Sequence, residues 1–322
     1  MTDSLHLLHN DNQEIIPIFL ATDENYAPFA SIMMKSVLMH TNSFVDFYVL
    51  DDEITDETKE LIRQDLEKYK NKNLHFVNMR QFNLKRFPER KQWSNTMYGI
   101  YFIPQIAPEL KKVIYLDVDI IAKKDIADLY HQDLENYALA AIPEIPNFYS
   151  TIIHKLPQFY PAFKSDTYFN SGVLLMDIPK LNQMDFINKA SELTIKLNEK
   201  LEFPDQDVLN ILFENNFKQL DASFNFMNVR ILAFKMRYPQ TPIDPYLIHY
   251  IGKAWNEPIV PFQQDYNEVL ESSVFHQMLG KKYPKDPNRV QIDPPQVGKF
   301  KIYTKNIDGQ FQITFVPESP VE

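Results

Sequence analysis

The chain has 322 residues, 44% of them hydrophobic, and its 43 Asp and Glu outnumber 33 Lys and Arg to leave a formal net charge of −10. That length supports one large core, or a core with an appendage, and the acidic balance argues against a nucleic-acid backbone as the main partner, because such binding rests on clustered Lys and Arg. The absence of cysteine excludes disulfides and thiolate chemistry and fits a reducing cytoplasm.

In chain order, the first half alternates period-two apolar runs with helical patterns, the signature of strand-helix-strand units and a mainly parallel sheet. The pattern predicts a strand over Ile15–Thr22, a helix over Ala27–His40, a strand over Val45–Leu50, and a helix over Thr55–Tyr69 with Thr55 as N-cap. A third strand follows at Leu74–Val77 and a helix at Asn95–Ile106. Val113–Ile121 then reads as an apolar strand that delivers Asp117 and Asp119 to its C-terminal end. Ionised carboxylates there are costly unless a partner offsets their charge, and a divalent cation is the usual one. The pattern alone proves little, since Asp205 and Asp207 repeat it; the preceding apolar run and the polar Lys123-Lys124-Asp125 turn supply the context of a strand ending at a ligand crevice.

Beyond a strand at Tyr137–Ile142, residues 143–168 mix Pro143, Pro146, Pro157 and Pro161 with Phe148, Tyr149, Phe159, Tyr160 and Phe163, which reads as a packed loop excursion. Its aromatic rings suit either packing on one another or stacking on sugar. Phe169–Asp177 reads as a strand, Asn182–Leu201 as one long helix, and Asp205–Phe213 as a short helix. From about residue 281 the texture changes again, and Lys299–Phe315 alternates around Asp308-Gly309 like a hairpin. No run of eighteen apolar residues and no basic-then-apolar start occurs, so neither a membrane span nor a secretory signal is expected.

Five ordered blocks give the chain a resemblance to glycosyltransferase family 8, the retaining nucleotide-sugar transferases. They are Phe19–Tyr26, Tyr115–Asp119, Phe169–Leu175, Asp205–Asn210 and His249–Gly252. The resemblance covers roughly residues 15–256 and implies an α/β GT-A fold: a Rossmann-like nucleotide-binding domain with a mixed, mainly parallel sheet over 1–262, followed by a C-terminal helical and hairpin appendage over 263–322. It implies a hexosyltransferase that uses UDP-glucose or UDP-galactose with Mn2+, Mg2+ being the alternative ion, held by Asp117, Asp119 and His249. Oxygen and imidazole together suit manganese better than an ion that prefers oxygen alone. Outside its block, His249 would read as an ordinary satisfied histidine.

The same resemblance places Ala21, Asp23, Asn25 and Tyr26 at the base and ribose, Val118, Gly252 and Lys253 at the nucleotide and diphosphate, and Glu144 near the sugar. Gln206, Asp205 and Asn170 fall around the anomeric carbon. Asp23 and Asp205 also read as helix caps, and Asn170 as a turn residue. An amide is a poor nucleophile, which favours front-side displacement over a covalent intermediate. Two departures stand out: Ile100 occupies the place of the family's donor-holding arginine, which leaves an altered donor, a substitute from Arg90 or Lys91, or weakened activity open, and Lys253-Ala254-Trp255 replaces the usual Lys-Pro-Trp. The acceptor expected is a glycan, lipid-linked, protein-linked or free, in lipopolysaccharide or another cell-surface polymer. Residues 281–322 hold seven basic and five acidic side chains, which leaves both a peripheral contact with the inner face of the plasma membrane and a homo-oligomer contact open. Competing readings are a phosphohydrolase with an Asp-x-Asp nucleophile pair, and a catalytically impaired sugar-nucleotide sensor or scaffold of the same fold, motivated by Ile100.

Overall fold

The computed structural model describes residues 14–89, 94–144, 156–228, 243–251 and 262–283, together with the backbone of 300–307 and 310–317. Its centre is a seven-stranded sheet built from β1 (Ile15–Asp23), β2 (Phe44–Asp52), β3 (Lys72–Asn78), β4 (Lys112–Leu116), β6 (Leu139–Pro143), β7 (Phe169–Asp177) and β8 (Lys218–Gln219). Across the sheet they lie in the order β3-β2-β1-β4-β7-β6-β8. β1 pairs in parallel with both β2 and β4, whereas β7 runs antiparallel to β4 and β6. The expected mixed, mainly parallel sheet is therefore present.

Strand alternation divides the core in two. Ile16, Ile18 and Leu20 of β1, with Ile114 and Leu116 of β4, face one buried cluster; Phe19, Val113 and Tyr115 face the other. The first cluster is covered by α1 (Ala27–His40), which is buried from Ala27 through Leu38 rather than along one stripe. Such a helix must also bury Lys35. Its ammonium lies 2.8 Å from Asp65 of α2 (Asp56–Asp65), whose carboxylate also accepts from Ser31, Ser273 and the Val274 amide. A buried ion pair of this kind holds only when the remaining lone pairs find donors, and here two of the donors come from residues 273 and 274. Residues 263–283, assigned by sequence to the appendage, thus pack on α1 through α8 (Gln263–Glu271) and α9 (His276–Lys282), with Tyr266, Val269, Phe275 and Leu279 in the first cluster.

Several boundaries differ from the sequence pattern for identifiable reasons. The 95–106 segment is a 3-10 stretch, Asn95–Phe102, running into α3 (Ile103–Ile106). The expected helix over 182–201 is two: α5 (Ile178–Gln183), capped by the Asp177 carboxylate, and α6 (Phe186–Leu197), separated from it by Asp185 at φ 57°. Thr55 does cap α2, its hydroxyl accepting from the Thr58 amide, but the helix ends at Asp65. β11 (Phe300–Ile307) and β12 (Gln310–Pro317) form the expected antiparallel hairpin, with its turn outside the described residues.

The strand expected over 113–121 breaks in two. β4 stops at Leu116, and β5 (Ile120–Ala122) belongs to a second, three-stranded sheet with β9 (Phe226–Met227) and β10 (Leu247–His249). Asp117, Val118 and Asp119 bridge the two sheets. α4 (Ala127–Tyr130) follows β5, and α7 (Pro204–Leu212) lies against β7 and α6. No helix among the described residues is long and apolar enough to cross a membrane.

Candidate active site

Strand order reverses between β1 and β4, and in an open α/β sheet the crevice beyond the carboxyl ends at such a point is where ligands bind. A cleft of about 420 Å³ opens there, lined by Ala21, Thr22, Asp23 and Tyr26 after β1, by Asp117, Val118 and Asp119 after β4, and by Glu144, Asn170, Ser171, Asp205, Gln206 and His249. Five of these are acidic. Among the described residues lining the cleft, none is a lysine or arginine.

Backbone pairing assembles Asp117, Asp119 and His249. The Asp117 amide donates to Gly172 O at 2.8 Å, Ile120 sits opposite His249, and the Tyr250 amide donates to Asp119 O at 2.8 Å. His249 Nε2 consequently lies 3.0 Å from Asp119 Oδ1 and 3.8 Å from Asp117 Oδ2, and one ligand atom from each of the three residues falls within 4.8 Å of the others. Two carboxylates and an imidazole converging this closely fit a divalent cation. Burial and the adjacent Asp119 push the Asp117 carboxyl up to about 7, against the opposing pull of His249, which is the electrostatic cost that a cation would remove.

The approach is possible only because residue 172 is glycine. A Cβ there would lie 2.4 Å from His249 Cε1 and 2.6 Å from Asp117 Oδ2. Asp205 and Gln206, in the first turn of α7, are tied to the same strand: Ser171 Oγ donates to Asp205 Oδ2 at 3.0 Å, and the Ser171 amide donates to Gln206 Oε1 at 2.9 Å. Asp205 caps no helix through a conventional N-cap position, since the residue there is Phe203. Burial raises its carboxyl, while the Ser171 hydroxyl and the amides of residues 205 and 206 act in the opposite sense. The other side of Gln206 is held by Tyr168, whose hydroxyl accepts from Gln206 Nε2 at 3.1 Å and donates to Asp207 Oδ1 at 2.7 Å. Asp207, pushed up to about 6 by burial, also receives the amides of Glu202 and Phe203. The second Asp-x-Asp is thus a splint for the start of α7 on one residue and a cleft carboxylate on the other.

Near β1, the Asp23 carboxylate accepts from the Tyr26 amide at 3.0 Å, so it closes the turn before α1 as well as lining the cleft. Glu24 fastens the same turn to Thr55 and Thr58. Asn25 is exposed and does not line the cleft. Ile100 is fully buried in the second core cluster and supplies no group to the cleft. Gly252, Lys253, Arg90 and Lys91 lie outside the described residues. In the aromatic excursion, Phe163 is buried in the second cluster with Phe159 and Tyr160 packed against it, while Phe148 and Tyr149 also lie outside the described residues. Sequence reasoning passed over Ser171, Tyr168 and Asn225; Asn225 stands alone as a polar residue between Phe224 and Phe226, and that interruption was its only signal.

The chain is similar over most of its length to known proteins. The family model described as Glycosyl transferase family 8 matches residues 17–258. Glycosyltransferase GlyF of Streptococcus pneumoniae serotype 4 is 31% identical over 244 residues, which are 74% of this chain and 57% of that protein, so the chain spans little more than half of that relative. Lipopolysaccharide 1,2-glucosyltransferase of Escherichia coli K12 is 25% identical over 280 residues, covering 83% of this chain and 81% of that one. Among solved structures, the galactosyltransferase LgtC in complex with donor and acceptor sugar analogues superimposes with a TM-score of 0.66 at 24% identity, over 85% of this chain and 98% of that chain. The apo bifunctional glycosyltransferase WbbM gives a TM-score of 0.72 at 20% identity, over 87% and 53%. These two likenesses show a GT-A fold.

Proposed function

The chain belongs to glycosyl transferase family 8, and from that membership we propose that it moves a hexose, glucose or galactose, from a UDP-sugar to a glycan acceptor with retention of anomeric configuration. The observation that carries this reading is the convergence of Asp117, Asp119 and His249 at the switch point of the sheet. These three would hold Mn2+, with Mg2+ as the alternative. When bound, such an ion offsets the charge that develops on a departing diphosphate. The remaining roles fall to the chain's own groups. Ala21, Asp23 and Tyr26 border the cleft where base and ribose would lie; Val118 lines its floor between the two aspartates; Asp205 and Glu144 present carboxylates for sugar hydroxyls. Asn25, Gly252 and Lys253 are assigned to the nucleotide by resemblance alone.

Gln206 is held at both ends of its amide. An amide oxygen that already accepts a backbone hydrogen bond is a still weaker nucleophile, which supports front-side displacement, the leaving phosphate taking the acceptor's proton. The lipopolysaccharide glucosyltransferase among the relatives supports a cell-surface glycan as acceptor, and we propose from the sequence reading a cytoplasmic enzyme working at the inner face of the membrane. A sugar-nucleotide sensor of the same fold is the second reading; what favours it is the burial of Ile100 away from the cleft, together with the lack of a cation along the cleft's described lining.

UDP release from a panel of UDP-sugars, with Mn2+, with Mg2+ and with chelator, separates the two. Metal-dependent release from one donor establishes the transferase and names the hexose; metal-dependent UDP binding with no release from any donor, acceptor glycans included, establishes the sensor. The pH profile of binding offers a further check. Below about pH 7 the cation-free Asp117 carries a proton that a bound cation must displace, so Mn2+-dependent UDP binding should strengthen with rising pH, by up to about tenfold per unit, and level off above neutrality. The same raised carboxyl means that the cation-free native state binds more protons than the unfolded chain between the ordinary Asp value and about 7, so its stability falls as pH rises through that window. Calorimetry in buffers of different ionisation enthalpy reads the released proton directly; a flat profile with no proton release contradicts the assignment.

A further inference from the structure

A backbone N–H can only donate, and one such group fixes the direction of a buried chain of side-chain hydrogen bonds. The Gly172 amide donates to an atom of Asn170 at 2.9 Å, which must therefore be the oxygen Oδ1. The same oxygen lies 2.8 Å from Asn225, so the Asn225 atom facing it must be the NH2 group. Asn225 then turns its own oxygen to His249 Nδ1 at 2.9 Å. Nδ1 must carry the hydrogen, and the neutral ring is left with its lone pair on Nε2, the nitrogen that faces Asp119 and Asp117. At the other end, Asn170 Nδ2 donates to Glu144 Oε1 at 3.3 Å. Glu144, Asn170, Asn225 and His249 are each at most 8% exposed, so water competes little for these bonds.

We infer that Asn225 is a positioning residue of the metal centre, which holds His249 as the Nδ1–H tautomer with Nε2 aimed at the ion, and that Asn170 serves the same chain by fixing the orientation of the Asn225 amide. The inference rests on the metal reading of Asp117, Asp119 and His249 given above. It also revises the expectation for Asn170: both lone pairs of its oxygen are taken by Gly172 and Asn225, and one of its N–H groups by Glu144, which leaves it a single N–H for any sugar. Metal-bound histidines commonly donate their second nitrogen to such a partner, whose loss costs about 10- to 100-fold in metal affinity. The placement follows from strand register. Asn225 ends a 3-10 turn whose Ser223 amide is capped by the Asp221 carboxylate, and the next residues, Phe226 and Met227, pair with Ile248 and His249.

The test is UDP binding by calorimetry in the presence of Mn2+ and, separately, Mg2+, on the full chain and four variants, with melting temperatures alongside. His249→Ala calibrates the loss of the nitrogen ligand; if it binds UDP with Mn2+ as wild type does, the metal reading itself fails. Given its loss, Asn225→Leu should weaken Mn2+-dependent binding about 10- to 100-fold and erase the preference for Mn2+ over Mg2+, because a misaimed ring leaves oxygen ligands only. Asn225→Asp keeps an acceptor for the Nδ1 hydrogen but gives up the N–H to Asn170 Oδ1, so it should retain more of the preference than Asn225→Leu, and Asn170→Leu should reduce it. A purely structural role would lower the melting temperature and affect both ions alike. An unchanged Mn2+ preference in Asn225→Leu, or a preference in Asn225→Asp no greater than in Asn225→Leu with the fold intact, overturns the inference while leaving the metal reading standing.

Discussion

Asp119→Ala should abolish metal-dependent UDP binding and lower transfer by at least about 10³-fold without unfolding the protein. The catalytic half of this expectation comes from charge. A carboxylate ligand supports several kcal/mol of stabilisation of a leaving diphosphate, and about 4 kcal/mol corresponds to roughly three orders of magnitude in rate. The structural half comes from the backbone: it is the Asp119 carbonyl, not its side chain, that accepts from the Tyr250 amide, and Ile120 pairs with His249 whatever residue precedes it. The side chain is 29% exposed and belongs to neither core cluster. Its removal also takes away the like charge that raises Asp117, so the variant's Asp117 moves back toward the ordinary carboxylate range. Circular dichroism and the melting temperature should stay near wild type while calorimetry with Mn2+ shows no nucleotide binding. Binding that survives at wild-type strength would remove Asp119 from the metal site.

Those residues were legible in the sequence because their signals are local. A run of Val113-Ile114-Tyr115-Leu116 has one reading as a buried strand, and the carboxylates that end it need a charged partner. Phe169–Asp177 was legible for the same reason and occurs with the predicted bounds. The break at 117–119 was not, because Ile120 and Ile121 continue the apolar pattern; what turns them into another sheet is pairing with Leu247–His249, more than a hundred residues away. The split at Asp185 was equally hidden, since a left-handed residue inside an amphipathic pattern leaves the periodicity nearly intact. Asn225 and Tyr168 carry no motif at all. Their importance lies in hydrogen bonds to residues 24 and 39 positions distant, a relation that only the folded chain contains.

Gly172 joins the legible and the hidden: with only 6 glycines in 322 residues, one inside an apolar strand pattern reads as meeting a backbone need, but only the structure says which. Gly172→Ala should cost about 1–3 kcal/mol of stability and about 10²-fold or more in Mn2+-dependent binding, for a reason that concerns space rather than dihedral angles. The new methyl would meet His249 Cε1 at 2.4 Å, Asp117 Oδ2 at 2.6 Å and Asn170 Oδ1 at 3.0 Å. The imidazole, bonded to Asn225, and the Asn170 oxygen, bonded to Gly172 and Asn225, cannot step aside cheaply, so the Asp117 carboxylate must turn away from the imidazole. Relief must therefore separate the ligands from one another, and displacements near 1 Å are enough to cost about a hundredfold at a reacting centre. Gly99 provides the control. A Cβ there would meet the tips of Leu50 and Met79 at 3.1 and 3.4 Å, flexible ends that can yield, so Gly99→Ala should keep metal-dependent binding close to wild type. Denaturant titration and calorimetry on the two variants decide the matter: if Gly172→Ala binds Mn2+ and UDP as tightly as Gly99→Ala, the glycine is not what lets the ligands meet.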